Sequence, residues 1–310
     1  MKKLVYFFVL AIFVCGGAYA VFWNLGKESS STLHQPGKLQ VVASFYPLYF
    51  FSQQIGGDKA SVTNIVPAGA EPHDYEPTAQ DMARMEKSGL IILNGSGLES
   101  WGDSIGKNIN TAKTIIVVTG EGLTTREMTR EDQLTTDPHV WLDPVFAGKM
   151  VENITRGFEA ADQENAIYFR ENANQLLEKL KDVDIAYRSG LQKCAEKNII
   201  TSHDAFGYLA AEYGFNQVSI AGLSPDAEPS PSQLADTVQF AKVNNVRYIF
   251  FESLASPKLS QTIATEVGAQ TLVLNPIEGL SDDEISKGKD YFSVMYDNLK
   301  NLQTALQCTQ

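Results

Sequence analysis

Basic charge, cysteine and histidine are all scarce in this chain, and each scarcity excludes something. Lys and Arg number 25 against 37 Asp and Glu, a formal net charge of -12 over 310 residues. That balance argues against nucleic acid or an anionic membrane surface as partner and suits a protein that handles cations. Cysteine occurs only at Cys15, Cys194 and Cys308. The last two lie outside every histidine-bearing segment, so a cysteine-ligated metal site is not supported. Proline is absent from Val145 to Gln192, where glycine is confined to Gly148, Gly157 and Gly190, so nothing there obliges a helix to stop. Long apolar runs are missing too, except at the N-terminus.

There, Lys2 and Lys3 precede an apolar and small-residue run from Leu4 to Trp23, followed by a polar stretch to Lys38. This is an export signal, a membrane anchor, or both. Ala18-Tyr19-Ala20 has the form of a cleavage site, and the run is also long enough to span a bilayer uncleaved. Cys15 follows Val14, where lipid attachment normally wants a small residue. The exported chain meets an oxidising compartment, in which Cys194 and Cys308 are expected to pair. Two unrelated small side chains are the alternative.

The rest, with 44% apolar and 20% charged residues, is globular in composition. Strands read at 39–45, 61–66, 90–93 and 114–119 alternate with helices at 47–55, 78–87 and 101–108. After a helical stretch the pattern restarts, with strands at 198–202, 217–220, 248–252 and 271–274 between helices at 205–213, 231–244 and 257–267, and a last helix at 291–306. The expectation is an α/β protein of two Rossmann-like lobes with mostly parallel sheets, joined by one long rigid helix. The boundaries are 1–37 for the signal or anchor and tether, 38–144 for the N-terminal lobe, 145–189 for the linking helix and 190–310 for the C-terminal lobe. In the linking stretch Ile167, Phe169, Leu176, Leu177, Leu180 and Ile185 recur at helical spacing.

Of the four histidines, His34 sits in the polar tether and reads as solvated. The others lie in Glu71-Pro72-His73-Asp74-Tyr75-Glu76-Pro77, Asp137-Pro138-His139-Val140-Trp141-Leu142-Asp143-Pro144 and Thr201-Ser202-His203-Asp204-Ala205-Phe206. His73 follows the second strand, His139 stands where the chain enters the connector, and His203 ends the first strand of the second lobe. Ligands of open α/β sheets bind at the carboxyl ends of strands, so all three can face one cleft. Neutral imidazole is the commonest metal ligand. Three imidazoles leave a divalent ion one donor short of a closed tetrahedron, and Glu278, past the strand 271–274, is the natural fourth; an exposed loop glutamate is the bland alternative. Glu71, Glu76, Asp74, Asp143 and Asp204 are expected to cap turns or orient the imidazoles, with Phe45, Tyr46, Tyr75, Trp141 and Phe206 as cleft walls and core.

These segments, together with Val41-Val42-Ala43-Ser44-Phe45-Tyr46-Pro47, resemble the metal-binding (cluster nine) family of substrate-binding proteins of ABC importers for zinc and manganese. The resemblance covers nearly the whole exported chain. It implies a two-lobed fold with metal at the lobe interface, held by His73, His139 and His203. Many members carry an Asp-Pro pair after the last strand, and that Asp ligates. This chain has Asn275-Pro276 followed by Glu278, which looks like the zinc branch in which the glutamate takes the role. Zinc members often have a histidine-rich loop before the second histidine, whereas residues 120–136 here contain none.

The expected function is capture of Zn(II) outside the cytoplasm and delivery to the membrane permease of an ABC importer, by a monomer that is not an enzyme. Mn(II) as cargo is the nearest alternative. A zinc-dependent hydrolase with the same histidines would need an open position for water. An adhesin role would be additional.

Overall fold

Val41-Val42-Ala43 within β1 (Leu39–Ala43) and all of β3 (Leu90–Leu93) pair side by side and are buried on both faces, as parallel strands covered by helices must be. The computed structural model describes residues 37–130, 133–225 and 227–309. The N-terminal apolar run, its Ala18-Tyr19-Ala20 motif, Cys15 and His34 lie outside them. Among the described residues no helix is long and apolar enough to cross a membrane.

β2 (Ala60–Asn64) and β4 (Ile115–Val118) flank the central pair in a parallel sheet of order β2-β1-β3-β4. Helices α1 (Tyr46–Gly56), α2 (Ala79–Lys87) and α3 (Gly102–Asn108) connect these strands. α2 begins where a capping box predicts: the Thr78 hydroxyl accepts from the Asp81 N–H, and Asp81 accepts from the Thr78 N–H. Beyond β4 an antiparallel pair, β5 (Glu127–Arg130) and β6 (Gln133–Thr136), stands apart from the sheet. Two helices follow, α4 (Pro144–Ala161) and α5 (Ala166–Leu191). The second lobe comprises β7 (Asn198–Thr201), α6 (Gly207–Tyr213), β8 (Asn216–Ser219), α7 (Pro231–Val243), β9 (Tyr248–Phe251), α8 (Lys258–Val267), β10 (Gln270–Val273), α9 (Asp282–Ser286) and α10 (Tyr291–Ala305). Its sheet is parallel, in the order β10-β9-β7-β8. Counted from the β8 edge this is second, first, third, fourth, the order of the first sheet.

The connector differs from the single helix expected over 145–189. It folds back on itself at Asp162, whose backbone is extended at φ -145° and ψ 83° and whose carboxylate accepts from the Asn165 N–H and side-chain amide. No glycine or proline marks the reversal; an Asp cap does it. α4 and α5 then run antiparallel, with Phe158 against Phe169 at 5.0 Å and Gly148 opposite Leu177. α4 belongs to the first lobe. At Gly157 an added Cβ would meet Val117 at 2.5 Å, so helix and sheet touch directly there.

α5 is the true span. Phe169, Ala173, Leu176, Leu180, Val183, Tyr187 and Leu191 are buried along one stripe, whereas Ile167 and Ile185 are exposed. Twenty-six residues at about 1.5 Å each reach from the first lobe, where the Asn172 amide donates to the Ile55 carbonyl, to the second, where the Tyr187 hydroxyl donates to the Met295 carbonyl. A regular helix packed at both ends transmits position without slack.

A disulfide joins Cys194 to Cys308, and backbone hydrogen bonds from Ala195, Glu196 and Thr309 bind the same two segments. The bridge sits at the amino-terminal end of β7, opposite the edge that carries His203. Cys194→Ser/Cys308→Ser is expected to lower unfolding free energy by about 2–4 kcal/mol in denaturant titration, with zinc stoichiometry unchanged. A loss of stoichiometry would show that the bridge reaches the site.

Candidate metal centre

Each candidate donor is delivered by the carboxyl end of a strand. His73 sits on the loop from β2 to α2. His139 follows β6 and opens the turn Val140–Leu142 into α4; His203 lies just past β7, and Glu278 past β10. Two donors come from each lobe, and they meet. His139 Nε2 is 3.2 Å from His73 Nε2, 3.4 Å from His203 Nε2 and 3.2 Å from Glu278 Oε1. Glu278 Oε1 is 3.2 Å from His203 Nε2 and 3.5 Å from His73 Nε2. Four bonds of about 2.0–2.1 Å to a central zinc would place tetrahedral donors about 3.3–3.4 Å apart. These five separations, 3.2–3.5 Å, lie close to that figure. His139 and His203 are fully buried, Glu278 nearly so, and the His73 side chain is 9% exposed, so entry lies on the His73 side.

Two imidazoles are braced from behind. His139 Nδ1 lies 2.8 Å from Asp137 Oδ1, and His203 Nδ1 lies 2.7 Å from Glu252 Oε1. A carboxylate there holds the proton on Nδ1 and turns the Nε2 lone pair to the centre. Further bonds fix the backbone: the Asn94 amide donates to the Pro138 carbonyl, and Thr201 and Gln217 donate to the His203 carbonyl. Glu99, buried, holds Asn94 in turn by accepting its N–H and the Ser44 hydroxyl.

Glu278 is aimed by a strained turn. Ile277 has φ +58°, a region that a β-branched residue avoids at a cost of order 1–3 kcal/mol. Its N–H donates to the Asn275 side chain, while Asn275 exchanges two hydrogen bonds with Asn298. Trp141, wholly buried, donates from its indole to the Pro276 carbonyl. Asn275 here braces the loop.

Charges follow this geometry. Burial depresses the His73 pKa. For His139 burial also pulls downward, but the Asp137 and Glu278 hydrogen bonds prevail and raise it; for His203 the Glu252 and Glu278 charges raise it well above the usual imidazole value. Glu278 is held well below the carboxylate range, the neighbouring imidazoles outweighing burial. Burial and then the Glu278 charge push Glu71 up to about 9.

Among the expected orienting residues, Asp143 caps α4 and Glu71 accepts the His73 backbone N–H. Glu76 takes the Ser100 hydroxyl, Asp74 is exposed, and the Asp204 N–H donates to the Gly222 carbonyl. The carboxylates that face the rings, Asp137 and Glu252, were not among them. Asp137 stands two residues before His139 in the same motif, and Glu252 follows β9 on the carboxyl edge, which were the available signals. Phe45, Trp141 and Phe206 are core; Tyr46 and Tyr75 are half-buried. Glu252→Ala is expected to lower zinc affinity about 10–100-fold in competition against a chelator. An unchanged affinity would remove Glu252 from the site's support.

Comparison with known proteins points the same way. The family model for zinc-uptake complex component A, periplasmic (ZnuA), matches residues 41–305. The chain is 40% identical over 308 residues to the high-affinity zinc uptake system protein ZnuA of Bacillus subtilis, across 95% of this chain and 97% of that protein. It is 39% identical over 278 residues to the zinc-binding lipoprotein AdcA of Streptococcus pneumoniae, across 86% of this chain but only 56% of that longer protein. The solved Zn(II)-bound ZnuA-like domain of Streptococcus pneumoniae AdcA superposes with a TM-score of 0.75 at 39% identity, covering 87% of this chain and 99% of that one.

Proposed function

The chain belongs to the ZnuA family, the periplasmic component of zinc-uptake complexes, and on that premise we propose that it captures Zn(II) between its lobes and hands it to the membrane permease of an ABC-type importer. His73, His139, His203 and Glu278 are the ligands in this reading. The observation that carries it is the convergence of their four donor atoms, all within 4.8 Å of one another, with the separations from His139 and from Glu278 close to the spacing of a tetrahedral zinc. The protein works outside the cytoplasm, as a monomer, held at the membrane through residues 4–23 or released from it.

The donor set favours zinc as cargo. Three imidazoles and one carboxylate suit a borderline-soft, four-coordinate ion, while manganese prefers a harder, oxygen-rich shell. The family is one of solute-binding proteins rather than enzymes, and the closed set argues likewise for this chain. With four protein donors in place no position remains for a reactive water.

Titration calorimetry of chelator-stripped protein with Zn(II) and Mn(II) tests the proposal. One zinc per chain, bound at least 100-fold more tightly than manganese, is expected. Manganese preference would overturn the cargo, and no tight binding of either ion would overturn the ligand assignment.

A further inference from the structure

Residues 120–136 carry none of the four donors and no histidine, yet the base of their β5–β6 hairpin is one of the places where the lobes are laced together. Arg126, the residue before β5, donates from Nε to Asp137 Oδ2 at 3.2 Å. The other oxygen of that carboxylate serves His139, facing its Nδ1 at 2.8 Å and accepting its backbone N–H at 3.0 Å. The Arg126 N–H donates to the Tyr208 hydroxyl at 3.1 Å, and that hydroxyl donates to the Asp137 carbonyl at 3.0 Å. Tyr208 is in the second lobe, on α6, five residues beyond His203. The guanidinium crosses the seam as well. Its carbon lies 5.8 Å from the Tyr208 ring centre, and a Cβ on Gly207 would meet that carbon at 2.5 Å.

We propose that Arg126 is a positioning residue for zinc capture: with Gly207 and Tyr208 it forms a clasp across the lobe seam that fixes Asp137, and through it the His139 imidazole, against the His203 half of the site. The proposal rests on His139 and His203 being ligands. The torsion of an Asp carboxylate is broad and roughly twofold, so an Asp bonded to an imidazole alone can rock and carry the ring with it. A guanidinium on the second oxygen removes that freedom through a charge-assisted bond. Asp137 is fully buried, and a buried carboxylate needs such a partner. Because the same arginine lies on Gly207 and Tyr208, separating the lobes pulls on the group that orients His139. A side chain at 207 would enter the space that the guanidinium fills and would displace it.

Arg126→Ala, Arg126→Lys and Gly207→Ala, alone and combined with Asp137→Asn in the full chain, test the clasp. The readouts are zinc affinity by chelator competition, zinc release rate, and thermal unfolding without metal. Arg126→Ala and Gly207→Ala are each expected to lower affinity about tenfold, mainly through faster release, and to cause no further loss once Asp137→Asn is present. Arg126→Lys keeps the charge but not the planar fork and should recover only part of the affinity. The clasp is overturned if Arg126→Ala leaves affinity within twofold of the parent. Multiplying losses for Arg126→Ala and Asp137→Asn, as a hairpin that merely supports the fold would give, overturn it too. A parent chain that binds no zinc would instead sink the ligand assignment, and the clasp with it.

Discussion

Glu278→Ala is expected to weaken Zn(II) binding on the order of 100-fold at neutral pH. Structural zinc sites with four ligands are worth about 10–16 kcal/mol, so one ligand carries roughly 3 kcal/mol, about two powers of ten. An opposing effect exists. Glu278 also raises the pKa of His139 and His203, so removing it eases proton competition for those rings. That relief is confined to pH values at which the rings hold protons, and above them the lost bond dominates. The check is competition against a chromogenic chelator at pH 8 and pH 6, with a larger loss at pH 8. An affinity within threefold of the parent at both would remove Glu278 from the metal. Zinc retained by the variant together with loss of a hydrolytic activity that the parent shows would make the site catalytic.

The second large effect is a zinc-dependent gain in thermal stability that grows with pH. Zinc at about 1,000 times its dissociation constant adds about 4 kcal/mol, or roughly 10 °C in a domain of this size. The sign of the pH dependence follows from the two raised imidazoles. In the metal-free protein a folded pKa above the unfolded value stabilises fully below about pH 6.5, and that stabilisation is lost as pH rises through the folded value. Zinc binding displaces those protons, so affinity climbs over the same interval, by up to two powers of ten per pH unit while both rings titrate. The His73 pKa is lowered and that of Glu278 lies well below its usual range, so neither adds to the slope there. Calorimetric melts from pH 6 to pH 9, with and without zinc, should diverge as pH rises. A constant gap would mean that His139 and His203 release no protons on binding.

The strand ends that carry these groups were legible in the sequence because the strands are short β-branched runs closed by Gly, Pro or Asp. β3 spans Leu90–Leu93 as read, and the other expected strands shift by one or two residues at one or both ends. His73, His203 and Glu278 stood out because each lies past such a strand, and His139 because Pro and Asp bracket it in Asp137-Pro138-His139 and Asp143-Pro144. Less legible features depend on partners distant in sequence. β5 and β6, Glu-Met-Thr-Arg and Gln-Leu-Thr-Thr, lack the alternation that marks a strand buried on one face. The reversal at Asp162 carries no chain-breaking residue. The work of Glu252 is set by its 2.7 Å contact with a ring 49 residues away, which no local pattern records.

The division of donors, His73 and His139 from one lobe and His203 and Glu278 from the other, bears on how the cargo leaves. In the proposed site each half alone would be a bidentate chelate of modest strength; only together would they make a tetradentate one. A parting of the halves by little more than a bond length would halve the denticity in a single step, with no individual bond weakened beforehand. Unloading is then a matter of mechanics, and a permease that pries the seam open need not outbid the site for zinc.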